Sequence, residues 1–99
     1  MFEVATHKVE YVDELAAVRE RHIKVRDECV ARMAQGLGAA ARRRKVKLAI
    51  PAQAAARGLH AMADGLIQNW LLQPGVFDLP ATGAKVFDAY MAGLGLARA

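Results

Sequence analysis

The chain has 99 residues, of which 55% are apolar, 24% charged and 6% aromatic. This length holds one domain at most, and the apolar content excludes a disordered tail, which cannot bury enough surface to offset chain entropy. No apolar run nears the ~20 residues of a membrane span, and no basic segment followed by an apolar one marks a secretory signal.

Abundant alanine with sparse Val, Ile and Thr favours helix over strand, and no alternating strand pattern or internal repeat is present. Pro51 and the Gln73-Pro74-Gly75 stretch punctuate the chain and predict four helical pieces. The first, over about 2–10, has no N-cap residue and reads as the tail of a helix. The second runs over about 13–45, with Leu15, Val18, His22, Val25, Cys29, Met33 and Leu37 on one face at helical spacing. His22 on that apolar stripe is expected to be a satisfied core histidine. Gly36 and Gly38 each weaken a helix interior by about 1 kcal/mol relative to alanine, so a bend or fray is expected there.

The third piece, over about 52–72, carries three stripes. Ala55, Leu59, Met62, Leu66 and Trp70 form an apolar one; Ala54, Gly58, Ala61 and Gly65 a small one; Gln53, Arg57, His60, Asp64 and Gln68 a polar one. A helix with neighbours on two sides explains the first two stripes. The fourth piece starts near Asp78, an expected N-cap, and presents Val86, Phe87, Tyr90, Met91 and Leu94 to the core. The second helix, at about 50 Å, overhangs any compact domain of this size, whose radius of gyration is near 13 Å. The core is therefore expected to be shared with another subunit or domain.

The net charge of +4 is concentrated in Arg42, Arg43, Arg44, Lys45 and Lys47. Cations complement the negative end of a helix dipole, and no aromatic or amide side chains interleave to read bases, so a helix C-terminus is the favoured reading over nucleic-acid binding. His60 and Asp64, four apart, provide two metal ligands where zinc wants three or four, so no metal or cofactor is expected. His7 has no catalytic neighbour, and no nucleophile elbow, phosphate loop or Cys/His cluster is present. The lone Cys29 cannot close an internal disulfide, which fits a reducing, cytoplasmic setting.

The segment Asp64-Gly65-Leu66-Ile67-Gln68-Asn69-Trp70-Leu71-Leu72-Gln73-Pro74-Gly75-Val76-Phe77-Asp78-Leu79 resembles the signature of Acr-type drug-efflux repressors of the TetR family. That signature is Asp-Gly-Leu, then Trp-Leu, a proline, and Asp-Leu. Near the start, Glu3-Val4 followed by His7-Lys8-Val9-Glu10-Tyr11 resembles the same branch's Glu-aliphatic…His-Lys-x-Glu-Phe segment. The resemblance implies an all-α ligand-binding and dimerisation domain, an antiparallel bundle of about four helices with one long. It also implies an N-terminal helix-turn-helix that these 99 residues do not include, through which alone DNA would be read. Arg44-Lys45-Val46-Lys47 departs from the branch's usual Gly-x-Leu-Pro turn, and Arg26 stands where relatives are commonly apolar.

The resemblance further implies a small hydrophobic ligand facing Phe2, Thr6, Cys29, Met33, His60, Ala63, Asp64 and Gln68, with Ile67 beside them. Asp64 would attract cationic ligands and Arg26 anionic ones, and the sequence does not choose between them. Homodimerisation is expected through the last two helices, with Ala54, Gly58, Ala61 and Gly65 permitting close approach and Phe87, Tyr90, Met91 and Leu94 forming the ridge. Two other readings are a structural helical dimer without a ligand and a small helical enzyme using His60 and Asp64.

Overall fold

The structure, a computed structural model, describes the backbone of residues 8–96 and the side chains of residues 13–96. Within that span the fold is all-α. Three α-helices, α1 (Lys8–Arg44), α2 (Ala52–Leu72) and α3 (Leu79–Leu94), are joined by a short loop and by a single 3-10 turn at Pro74–Val76. α2 packs against both α1 and α3. The pairing with α1 is antiparallel. The end of α1 and the start of α2 share the core through Leu37, Ala41, Ala55 and Ala56, while residues 19–26 border a cleft with His60 and Asp64.

The expected break between the first and second pieces does not occur. From Lys8 onward they are one helix, because Val9-Glu10-Tyr11-Val12-Asp13 contains no glycine or proline to interrupt it. Residues 2–7 of the expected first piece lie outside the described residues. The helix also runs unbroken through Gly36 and Gly38. The other limits follow the sequence. Pro51 precedes α2, and Asp78 caps α3 by accepting a 3.0 Å hydrogen bond from the Ala81 N–H.

At 37 residues α1 is about 55 Å long, against about 31 Å for the 21 residues of α2, so part of α1 has no neighbour along its flank. This corrects the expected apolar stripe. Leu15, Val18 and Val25 are 49%, 39% and 57% exposed, and His22 is an exposed histidine rather than a core one. The far end of the stripe does reach the core: Leu37 is buried and Met33 packs beside it, joined there by Val30, Ala34 and Ala41. The radius of gyration, 18.1 Å, exceeds the roughly 13 Å of a compact domain of similar length.

The buried hydrophobic core consists of Val30, Leu37, Ala41, Ala55, Ala56, Leu94 and Leu96. With three alanines among these, the core is thin, and its geometry depends on close backbone approach. The Tyr90 hydroxyl donates a 2.7 Å hydrogen bond to the Ala55 carbonyl. This is possible because residue 58 is glycine: a Cβ there would lie 2.6 Å from the tyrosine oxygen. The end of α3 is fastened to the loop between α1 and α2. The Ala49 N–H donates to the Leu94 carbonyl at 3.1 Å, and an Arg44 guanidinium N–H donates to the Leu96 carbonyl at 2.8 Å.

Both α1 and α3 end in paired reverse hydrogen bonds. For α3, Leu96 N–H donates to Met91 and Gly95 N–H to Ala92, with Gly95 at φ 97°. For α1, Val46 N–H donates to Ala41 and Lys45 N–H to Arg42. The left-handed residue there is Lys45, at φ 57°, a conformation glycine adopts freely and lysine only at a steric cost. The last turn of α1 carries Arg42, Arg43 and Arg44, as the helix-terminus reading of the basic cluster expects.

Thermal or urea unfolding at fixed protein concentration checks both features. Lys45→Gly relieves the positive φ and should stabilise by about 0.5–1 kcal/mol. Gly58→Ala should destabilise by about 1–3 kcal/mol by pushing Tyr90 off Ala55, even though alanine is the better helix former. Gly36→Ala, whose Cβ meets nothing within 4 Å, is the control and should stabilise by about 0.5–1 kcal/mol. A Gly58→Ala protein as stable as the Gly36→Ala one would contradict the Tyr90 packing.

Candidate functional site

Because the start of α2 is held by both neighbours, two different faces of its remaining length border clefts. The first lies between α1 and α2 and has a volume of about 540 Å³. From α1 it takes Arg19, Arg21, His22, Ile23, Val25 and Arg26; from α2 it takes His60 and Asp64. Arg19, His22 and Arg26 share one helical face, spaced three and four apart.

Asp64, which lines this cleft, and Asp27, next to the lining Arg26, already have partners. Asp64 accepts a 2.7 Å hydrogen bond from the Gln68 amide, four residues on along α2. Asp27 accepts from two nitrogens of the Arg26 guanidinium, at 3.1 and 3.0 Å. That ion pair is about half exposed, at 47% and 52%, so its contribution to stability is small. Arg26 is thus turned to its own helix neighbour and makes no salt bridge with Asp64.

The second cleft, about 280 Å³, lies between α2 and α3. Its wall is almost wholly apolar: Leu59, Met62, Ala63, Leu66 and Ile67 from α2, with Leu79, Pro80, Gly83, Ala84 and Phe87 from α3. Apolar exposure continues along the same end of the molecule, with Leu71 65%, Leu72 84% and Val76 62% exposed. A third hollow of about 560 Å³, between the end of α1 and α3, is bordered by Arg44, Phe87, Asp88 and Met91.

The residues expected around a ligand are therefore divided between faces. His60 and Asp64 line the α1–α2 cleft, with Gln68 held to Asp64. Ala63 and Ile67 line the apolar α2–α3 cleft. Cys29 is half-buried, and Met33 packs on the core; neither lines the α1–α2 cleft. Phe2 and Thr6 lie outside the described residues. Arg19, Arg21 and Ile23 enter the site without having been expected; the i, i+3, i+7 spacing of Arg19, His22 and Arg26 was the available signal. Among the described residues, no group of three or more His, Cys, Asp or Glu is placed to hold a metal ion.

The residues expected at a dimer contact also divide. Leu94 is 3% exposed and belongs to the chain's own core, while Tyr90 is engaged with Ala55 and Gly58. Phe87 is 47% exposed, Ala54 and Ala61 are exposed, and Met91 is half-buried beside the core. A Cβ at Gly65 would meet nothing within 4 Å of its own chain.

Residues 1–95 match the family described as MAATS-type transcriptional repressor, C-terminal region. The chain belongs to this family. It is 31% identical over 86 residues to the HTH-type transcriptional regulator TtgR of Pseudomonas putida, covering 87% of this chain and 41% of that protein. It is 30% identical over 86 residues to the probable HTH-type transcriptional regulator ArpR of Pseudomonas putida, again covering 87% and 41%. The chain thus spans about two fifths of the length of these curated relatives. No solved structure matches it significantly. Family membership makes this a transcriptional-regulator domain of the TetR type and not an enzyme, which removes the reading of His60 and Asp64 as an acid–base pair. No helix among the described residues is long and apolar enough to cross a membrane.

Proposed function

We propose that the chain is the effector-sensing and dimerisation domain of a TetR/Acr-type repressor. In this reading it binds a small hydrophobic, drug-like ligand in the α1–α2 cleft and pairs with a second copy through the apolar face of α2 and α3. Ligand binding in a cytoplasmic homodimer then controls efflux-pump expression through a DNA-reading helix-turn-helix outside these 99 residues. The observation that carries the reading is the separation of two unlike clefts on one helix, one polar with apolar patches and one almost purely apolar. A recess where polar groups stand beside apolar side chains can orient a small ligand, whereas an apolar face with little polar content suits protein association. The resemblance to Acr-type repressors supports the efflux role.

The coupling is a population shift. The ligand favours the domain arrangement it binds more tightly, the operator favours the other, and each weakens the other by the same factor. α2 borders both clefts, so a change in its packing on α1 is transmitted directly to the partner face. Base recognition belongs to the other domain, and the basic end of α1 contributes at most weak, salt-sensitive contacts to phosphate.

Two variants separate the two jobs. His60→Trp fills the α1–α2 cleft and should weaken binding of the neutral fluorophore N-phenyl-1-naphthylamine by at least about tenfold, the equivalent of roughly 1.4 kcal/mol, while the protein stays dimeric. Gly65→Leu places bulk where the chain itself offers open space, so it should leave the fold intact and convert the dimer to a monomer by light scattering at micromolar concentration. A monomeric wild-type protein, or undiminished fluorophore affinity in His60→Trp, would contradict the proposal.

A further inference from the structure

We infer that the α1–α2 cleft selects anionic ligands: an aromatic or aliphatic body carrying a carboxylate or sulfonate. This rests on the ligand-site reading above and assigns the charge class that the sequence left open.

The cleft is bordered by three arginines, Arg19, Arg21 and Arg26, against one acidic residue, Asp64. Asp64 does not offset them. One of its oxygens takes the Gln68 amide, and its ion-pair distance to Arg26 is not met. Even with Asp27 included, which holds Arg26 from the same helix, cations outnumber anions at the cleft. Arg26 is held in place through its Nε and Nη2, which both donate to Asp27, while remaining about half exposed, so its Nη1 side is the part presented to a ligand. A planar guanidinium matches carboxylate and sulfonate geometry with two parallel hydrogen bonds, which is worth more than a single point-charge contact.

The apolar part of the ligand has its own wall. Ile23 is half-buried and Val25 is 57% exposed, both bordering the same cleft. Apolar surface beside a cationic rim recognises an amphiphilic anion and repels a cationic one of equal size. The remaining basic residues, Arg42 to Lys47, lie at the far end of α1 and do not line this cleft. They give the chain its net positive charge, which draws anions toward the molecule without selecting the site.

Two fluorophores with the same body test this. 8-Anilino-1-naphthalenesulfonate carries a sulfonate that N-phenyl-1-naphthylamine lacks. The 99-residue chain should bind the sulfonate at least roughly tenfold more tightly than the neutral probe. Arg19→Gln and Arg26→Gln should each shrink that ratio, with the helical circular-dichroism spectrum and the thermal midpoint unchanged, which shows that the chain is still folded. Arg43→Gln, outside the cleft, should leave the ratio intact. Equal affinities for the two probes, or a ratio that survives both cleft substitutions, would overturn the anion preference while leaving the ligand site standing. Failure of both probes to bind would overturn the ligand site and this inference together.

Discussion

The fixed point of the structure is the fully buried pair Ala55 and Ala56 at the start of α2. Their small side chains let α2 lie close to α1, and the Ala55 carbonyl takes the Tyr90 hydroxyl from α3. Gly58, one turn further along, leaves the space that this tyrosine occupies. Once these contacts set how α2 lies against α1 and α3, helical geometry assigns its faces to the two clefts. His60 and Asp64 turn toward α1, and Ala63, Leu66 and Ile67 turn toward α3. Under the proposed function, sensing and association are then separate jobs of one helix, linked because both faces belong to the same rigid element.

The same contacts explain why the molecule leaves so much apolar surface in solvent. A core built largely on alanine brings backbones together but buries little area per residue, and stability from burial scales with apolar area removed from water. α1 extends past α2 with Leu15, Val18 and Val25 exposed, and α2 exposes Ile67, Leu71 and Leu72. The second set is continuous with the apolar cleft and suits a two-fold contact. Of the first set, Val25 borders the arginine-lined cleft and gives a ligand's apolar body something to rest on. Exposed apolar residues at both places are costly in water unless something covers them.

Much of the fold was legible because local chemistry dictated it. Pro51 and the Gln73-Pro74-Gly75 turn bracket α2, and Asp78 caps α3, each through a group whose geometry ends or begins a helix regardless of context. The burial pattern of α1 was less legible. Its apolar stripe reads as a uniform core face, but burial depends on how far the neighbouring helix reaches, and that length is a tertiary fact. So Val30 is buried while Val25 and His22 are not. The candidate site divided for a similar reason. His60 and Ala63 are close around the helix, and only the positions of α1 and α3 decide that they face different clefts. The left-handed Lys45 was invisible because lysine gives no local signal for positive φ.

The sequence contains three isoleucines, and the fold gives each a different setting: Ile23 in the arginine-lined cleft, Ile67 in the apolar one, and Ile50 exposed in the loop between α1 and α2. Their δ1-methyl signals in an NMR spectrum therefore report on the division of labour directly. Dilution of the protein should shift Ile67 and leave Ile23 in place, because it separates the subunits. Addition of 8-anilino-1-naphthalenesulfonate should shift Ile23 first, with Ile50 unmoved in both titrations. If dilution moved Ile23 and left Ile67 fixed, or if the anion acted on Ile67 alone, the assignment of the two clefts would be wrong.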